Sequence, residues 1–331
     1  MTNTDPRGYH GIDIGGSKIE LVAFAAEGAE GDHLRADLRE VFRERIATPG
    51  HDFSAFVQAV AGLVRRADAA LGADAGAPAP IGIGLPGVAD ARTGRQLSSN
   101  VPALNGRLVA PALEQALGRP VVIGNDCQCF ALSEAQGGAA DGLPTMFGAI
   151  LGTGAGGGYC AGGVLQRGFN GVAGEWGHWA VPAQLLARYG LPVIPCACGR
   201  EGCFERYVSG PGMAMLHRHL GGMDAEPMVI AARANAGDAL AQATLAAHLD
   251  LLAHALSSLV LGLDPHAIVL GGGLSQLPHL YQQLPPAVRR HLFPGAQVPP
   301  ILPPRFGDAG GARGAALLAR QQTPRTEASA P

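Results

Sequence analysis

Four side chains in one stretch of this chain have the types and spacing of a metal site. Cys196-Ala-Cys198 is followed after four intervening residues by Cys203, and His178 lies upstream in Glu175-Trp176-Gly177-His178. Three thiolates and one imidazole make a closed tetrahedral donor set, the pattern of structural zinc. Gly199 and Gly202, between the thiols, supply the tight turns such a knuckle requires. With no open coordination position, a metal here orders a loop and does not polarise a substrate. The clustering of three of the six cysteines within eight residues argues for metal over disulfides in a reducing compartment. Cys127, Cys129 and Cys160 lack ligand spacing and are expected to pack.

Three glycine clusters and one carboxylate at a strand end suggest a second chemistry, handling of a polyphosphate. In Asp13-Ile14-Gly15-Gly16-Ser17-Lys18, bare backbone N–H groups can approach phosphate while the carboxylate holds a metal-bound water. An ordinary glycine hairpin with a solvated Asp reads equally well. Leu151-Gly152-Thr153-Gly154-Ala155-Gly156-Gly157-Gly158 contains the letters of a dinucleotide fingerprint. That fingerprint needs a helix next, and the glycines at 158, 162, 163, 168 and 171 oppose one. A strand, loop, strand arrangement fits better, with Thr153 adding a hydroxyl donor, and a nicotinamide dehydrogenase is disfavoured. Gly271-Gly272-Gly273 follows a strand and makes either flat contact with a nucleotide or a tight turn. In Gly124-Asn125-Asp126 a carboxylate ends a buried strand, where open α/β sheets bind ligands. Phosphoryl transfer needs such a base to accept a hydroxyl proton. Capping of the next helix is the competing role for Asp126.

These residues need elements to hold them. Ile12–Ile14 and Ile19–Phe24 read as strands joined by the Gly15–Lys18 turn, and Phe53, Phe56, Val57, Val60, Val64 and Leu71 recur at helical spacing. Ile81–Leu85 and Val121–Ile123 read as buried strands, the latter followed by a helix from Asp126 to about Gln136. A second series begins with the strand Phe147–Leu151 and another strand near Tyr159. It continues with a long helix from Asp238 to Gly262, then the strand Ala267–Leu270 after Asp264-Pro265. Gly314–Arg320 reads as a last helix and Gln321–Pro331 as a frayed tail. Strands alternating with helices indicate α/β architecture. No duplication is visible in the pattern.

With 331 residues, 47% hydrophobic and 15% charged, the chain can build two real cores. A net charge near −3 gives no electrostatic footprint for nucleic acid. Met1–His10 has no apolar segment and no apolar run approaches the roughly 18 residues of a membrane span, so a cytoplasmic protein is expected. The helical histidines His217, His219, His248, His254 and His266 lack ligand spacing and are given no role.

Taken together, these motifs resemble the ROK family (repressors, open reading frames and kinases), over about Gly11 to Leu318. The pattern appears as Asp13-Ile-Gly-Gly-Ser-Lys18, Gly82-Ile-Gly-Leu-Pro-Gly87, Asn125-Asp126 and Gly152-Thr-Gly154. It continues as Glu175-x-Gly-His178, Cys196-x-Cys-Gly-x-x-Gly-Cys203-Phe-Glu205 and Gly271-Gly-Gly273. The resemblance implies an actin-like ATPase fold of two ribonuclease H-like α/β domains flanking a cleft. The domains are expected at 1–126 and 127–310, with a C-terminal helix in 311–331 returning to the first.

By the same resemblance Asp126 is the general base for the 6-hydroxyl of a hexose. Asn100, Asn125, Glu175, His178 and Glu205 bind ring hydroxyls. Mg-ATP is held by Gly11-Ile12-Asp13-Ile14-Gly15-Gly16-Ser17-Lys18, by Gly152–Gly158 and by Gly271–Gly273. His178 then serves both zinc and sugar. Asn100-Val-Pro-Ala103, Phe130-Ala-Leu-Ser-Glu134, Asp264-Pro265 and Gly307-Asp-Ala-Gly-Gly311 are similar to the branch phosphorylating N-acetylglucosamine. Asn105-Gly106 and Gly174–His178 are closer to fructokinases, and a glucokinase also fits. Ser17 stands where Thr is usual, and Cys127-Gln128 where Ala-Asn often follows the base. Dimers are common in the family. Its DNA-binding repressors carry an N-terminal helix-turn-helix, and twelve residues before Asp13 leave little room for one.

Overall fold

The computed structural model describes residues 8–27, 37–72, 78–97, 100–307 and 310–322. Met1–Arg7, Asp308 and Ala309 of the Gly307–Gly311 motif, and Thr323–Pro331 of the expected tail lie outside the described residues. The chain opens as a hairpin of β1 (Gly8–Ile14) and β2 (Lys18–Glu27), turned at Gly15-Gly16-Ser17. Strand alternation sends Ile12, Ile14, Ile19 and Leu21 into a core with Phe56, Val60, Leu63 and Val64 of α1 (Phe53–Ala70). Asp52 starts that helix by accepting a hydrogen bond from the Ala55 N–H.

Two five-stranded sheets follow one plan. The first joins β3 (Asp37–Ala47), β2, β1, β4 (Ile81–Leu85) and β7 (Val121–Asn125) in that order. The hairpin and β3 are antiparallel, while β1, β4 and β7 run parallel. The short ribbon β5 (Val88–Ala89) and β6 (Gln96–Leu97) and the helix α2 (Val109–Leu117) lie between β4 and β7 in sequence. α3 (Asp126–Ala135) leads to the second sheet. There β8 (Thr145–Leu151), β9 (Ala155–Ala161) and β10 (Val164–Gln166) are antiparallel, and β11 (Ile268–Gly271) and β12 (Ile301–Leu302) add in parallel. The order β10-β9-β8-β11-β12 repeats that of the first sheet. This is a duplication in backbone that the sequence pattern does not reveal.

Between β10 and β11 come α4 (Ala183–Tyr189), α5 (Glu205–Val208), α6 (Gly210–His219), α7 (Pro227–Asn235) and α8 (Ala239–Leu263). α9 (Pro278–Arg289) lies between β11 and β12. α8 runs one residue past the expected Gly262 and ends where Asp264 takes a left-handed φ of 43° before Pro265. Contrary to the sequence expectation, α8 is long and apolar enough by composition to span a membrane. Most of that stretch is buried against α6, α7 and α9, which makes it the core helix of the second half.

The last helix, α10 (Gly310–Gln322), returns to lie across β1, β4 and β7 and against α3. Its approach depends on missing side chains. Gly11 and Gly82 pair in register on β1 and β4. A Cβ at either would fall 1.8 Å from Ala312 O or 1.7 Å from Ala315 O. Gly314 does the same for the crossing of the two helices, since a Cβ there would fall 1.7 Å from Cys129 O on α3.

Candidate active site and metal-binding cluster

Asp126 is the first residue of α3, at the carboxyl end of β7. The competing capping role falls to its neighbour: Asn125 Oδ1 accepts from the N–H of Cys127 and of Gln128 at 2.8 and 3.3 Å. Asn125 Nδ2 donates to Gly87 O at 3.0 Å, which ties the end of β7 to the turn after β4. Asp126 is therefore spared as a cap, although its Oδ1 accepts from the Cys127 N–H at 2.9 Å. Burial pushes its carboxyl above the ordinary aspartate range, with hydrogen bonding from Cys127 opposing. Asp13 stands nearby, because the space a Cβ at Gly84 would occupy lies within 4 Å of both Asp13 Oδ1 and the Asp126 Cα. The Asp13 carboxylate abuts the start of α10, where a Cβ on Gly311 would come within 2.7 Å of it.

Glu175 arrives from the second half. Its segment is stapled to β9, with Trp176 fully buried and its Nε1 donating to Gly156 O at 2.7 Å. Gly174 has a φ of 110°, and a Cβ there would meet Gly157 O at 2.2 Å, while one on Gly177 would meet Ala155 O at 1.9 Å. The glycines of Gly174-Glu-Trp-Gly-His178 are thus required by the closeness of the segment to the strand. Burial raises the Glu175 pKa, the nearby His178 lowers it, and the carboxylates of Asp126 and Glu205 raise it further.

His178 faces two ways. Its Nδ1 lies 3.6 Å from Cys196 Sγ, and its Nε2 lies 3.7 Å from Glu175 Oε2. Cys198 Sγ and Cys203 Sγ are 3.7 Å apart, and the donor atoms of His178, Cys196, Cys198 and Cys203 all lie within 4.8 Å of one another. A tetrahedral zinc with Zn–S near 2.3 Å and Zn–N near 2.0 Å sets S···S and S···N edges of about 3.8 and 3.6 Å. The donor set therefore fits that ion. Gly199 and Gly202, with φ of 85° and 67°, make the turns expected between the thiols. Glu205 begins α5 two residues after Cys203, and its Oε1 is 3.8 Å from Cys196 Sγ. Its Oε2 accepts from the Ala155 N–H at 3.0 Å, so one carboxylate joins the cysteine knuckle to the turn between β8 and β9.

That turn is the strand, loop, strand expected of Gly152–Gly158, with no helix after it. Gly152, Thr153 and Gly273 line a pocket of about 650 Å³ with Leu274, Gln276, Gly210 and Pro211. The Gly210 N–H donates to Gly152 O at 2.8 Å, which holds α6 against the turn. Gly272 has a φ of 76°, and a Cβ there would strike Leu151 O at 2.5 Å.

Other glycines of the expected nucleotide segments do different work. Gly11, Ile12 and Ile14 are buried in β1, with Gly11 under α10. Gly156, Gly157 and Gly158 lie in β9, where Cβ atoms would press on Cys127 Sγ, Gly148 O and the Ala131 Cβ, while Gly271 is held against the Phe130 ring. Gly15, Gly16 and Ser17 form the β1–β2 turn and Lys18 begins β2, and a Cβ on Gly16 would lie 2.9 Å from Asn100 O. Gly210, Pro211 and the α7 residues Pro227 and Met228, which also line the pocket, were not anticipated. The helix-start signal Ser209-Gly-Pro-Gly212, with Ser209 Oγ accepting from the Gly212 N–H, was available to find the first two.

A sequence profile described as the ROK family matches residues 9–322. The chain belongs to the ROK family. It is 45% identical over 310 residues to the N-acetylgalactosamine kinase of Shewanella sp. strain ANA-3, covering 94% of this chain and 96% of that one. It is 42% identical over 312 residues to the N-acetyl-D-glucosamine kinase of Photobacterium profundum, covering 94% and 98%. Among solved structures, the ROK hexokinase of Thermus thermophilus superposes with a TM-score of 0.80 at 31% identity, covering 95% of this chain and 98% of that one. The actin-like ATPase fold that the motifs implied is thus the fold of this ROK chain.

Proposed function

We propose that this ROK chain transfers the γ-phosphoryl group of ATP to the 6-hydroxyl of N-acetylglucosamine. Its relatives named for N-acetyl-D-glucosamine support the sugar. The observation that carries the chemistry is the convergence of Asp126, Glu175 and Glu205 beside the β8–β9 turn and its 650 Å³ pocket. Glu175, Glu205, His178, Asn100 and Asn125 bind the ring hydroxyls and hold the 6-hydroxyl beside Asp126. Ionised Asp126 accepts the hydroxyl proton as the sugar oxygen bonds to the γ-phosphorus and the bond to ADP breaks. A base whose pKa burial has raised accepts that proton more readily than an exposed aspartate. Gly152, Thr153 and Gly273 would hold the nucleotide, and Asp13 would hold the magnesium that accompanies it, which would supply neutralisation of phosphate charge.

Zinc at His178, Cys196, Cys198 and Cys203 is the structural part of the same reading. Bound there, zinc would fix the segment between Glu175 and Glu205, and ligation at His178 Nδ1 would leave Nε2 turned toward Glu175. Reduced thiols and ATP together suit the cytoplasm. A second reading is favoured by the relative at 45% identity, which is named for N-acetylgalactosamine. The two sugars differ only in the configuration of one ring hydroxyl.

An ADP-release assay with Mg-ATP tests the proposal against N-acetylglucosamine, N-acetylgalactosamine, glucose, fructose, mannose and N-acetylmannosamine. A kcat/KM for N-acetylglucosamine at least about tenfold above the rest is expected, worth roughly 1.4 kcal/mol of discrimination. Preference for N-acetylgalactosamine replaces the sugar and keeps the mechanism. No turnover with any of the six overturns both.

A further inference from the structure

Gln128 lies two residues beyond the base on α3 and is 1% exposed. Its side-chain Nε2 donates to two backbone carbonyls of the second half, Gly171 O at 3.0 Å and Ala173 O at 3.1 Å. Two acceptors on one side fix which way the amide faces. The Oε1 is left buried with no partner among the described residues. A buried acceptor without a donor is costly, so a glutamine here is a poor choice for packing alone. The carbonyls it grips belong to the loop that delivers Glu175. At the root of that loop Arg167 Nη2 donates to Ile123 O of β7 at 2.9 Å. On either side of Glu175, Gly174 and Trp176 are pinned to β9. Gln128 closes the remaining side.

We propose that Gln128 is a positioning residue that ties the loop carrying Glu175 to the helical turn carrying Asp126. The inference rests on the sugar-binding role proposed above for Glu175. The base and the sugar-binding carboxylate come from different halves of the chain, and this amide makes their spacing a property of one side chain. It acts through Glu175 and touches neither sugar nor nucleotide.

The test is a double-mutant cycle on the full-length kinase with zinc content and Tm measured for each variant. Gln128→Met conserves volume and removes both donors. It should raise the sugar KM about tenfold or more, the loss expected of two neutral hydrogen bonds, while the ATP KM stays within about twofold. Adding Gln128→Met to Glu175→Gln should raise the sugar KM little beyond Glu175→Gln alone, because the two act as one unit. Gln128→Asn, one methylene shorter and able to reach a single carbonyl, should fall between wild type and Gln128→Met. It also stands in if the Met variant does not fold. A wild-type sugar KM in both Gln128 variants, or full additivity with Glu175→Gln, overturns the proposal. If Glu175→Gln itself leaves the sugar KM unchanged, the role of Glu175 fails and the positioning role falls with it. An effect of Glu175→Gln but not of the Gln128 variants removes the positioning role alone.

Discussion

Gly314→Ala sets two familiar rules against each other at the crossing of α10 and α3. By helix propensity alone, replacing a mid-helix glycine with alanine should stabilise by about 1 kcal/mol. The structure places the new Cβ 1.7 Å from Cys129 O and 2.4 Å from Cys129 C, both backbone atoms of α3. Backbone cannot swing aside as a rotamer can, so one helix must move by more than about 1 Å in a core of Phe130, Leu132, Ala315 and Leu318. Overpacking of this kind costs roughly 3 kcal/mol, at the upper end of the usual range. The net is about 2 kcal/mol of destabilisation, a fall in Tm of roughly 3 °C for a chain of 331 residues unfolding with about 2.1 cal/mol/K of entropy per residue. Gly262→Ala is the matched control, since it lies in α8 and its new methyl group would have nothing within 4 Å. There propensity acts unopposed and Tm should rise by about 1.5 °C. Thermal unfolding of the two variants beside wild type measures both. If they shift in the same direction, the account of α10 seated on α3 through Gly314 is wrong.

Asp126→Asn should abolish turnover, retain zinc and raise Tm at neutral pH. Burial holds the folded-state pKa of this carboxyl above its unfolded value. The folded protein therefore binds the proton more tightly, and ionisation above that pKa costs stability that the amide does not lose. Measured activity against pH should show an acid limb of kcat/KM above the ordinary aspartate range, falling as pH drops because a protonated base cannot accept. A limb at the ordinary position contradicts the buried-base reading. His178→Gln, or prolonged chelation, should lower zinc content and Tm together and raise the sugar KM more than the ATP KM. Equal rises in both would mean that the metal loop serves the whole fold instead of the sugar side. Gly154→Ala should cost sugar affinity as well, because its Cβ would sit 2.6 Å from Glu205 Oε2.

The candidate site residues were legible because their constraints are local. The cysteine and glycine spacing around 196–203 specifies a turn and a donor set together. The strand ends at Asn125 and Leu151 are marked by the glycines and polar residues beside them. What escaped depends on distant partners. β3, with Arg39, Glu40, Arg43, Glu44 and Arg45, carries residues that favour helices. It becomes a strand because Arg43 and Arg45 both reach the buried Glu20 on β2, while Glu44 pairs with Arg66 of α1. α9 contains Pro285-Pro286, which argue against a helix, yet Leu280, Leu284 and Val288 bury its inner face. By position alone Asp126 reads first as a cap, the family resemblance makes it a base, and only the structure shows Asn125 doing the capping. Gln128 was visible only as an unusual residue, since both carbonyls it grips lie more than forty positions away.

α3 leaves the first sheet and α10 comes back to it, so the polypeptide passes between the halves twice, and the two passages touch at Gly314. Bodies joined by a single tether can bend, roll and twist against each other. A pair of tethers in contact removes roll and twist and leaves rotation about one line, like a door on two pins. Any narrowing of the gap between Asp126 and Glu175 then follows a single path. Sugar binding need not select among relative orientations of the halves, only a position along that path.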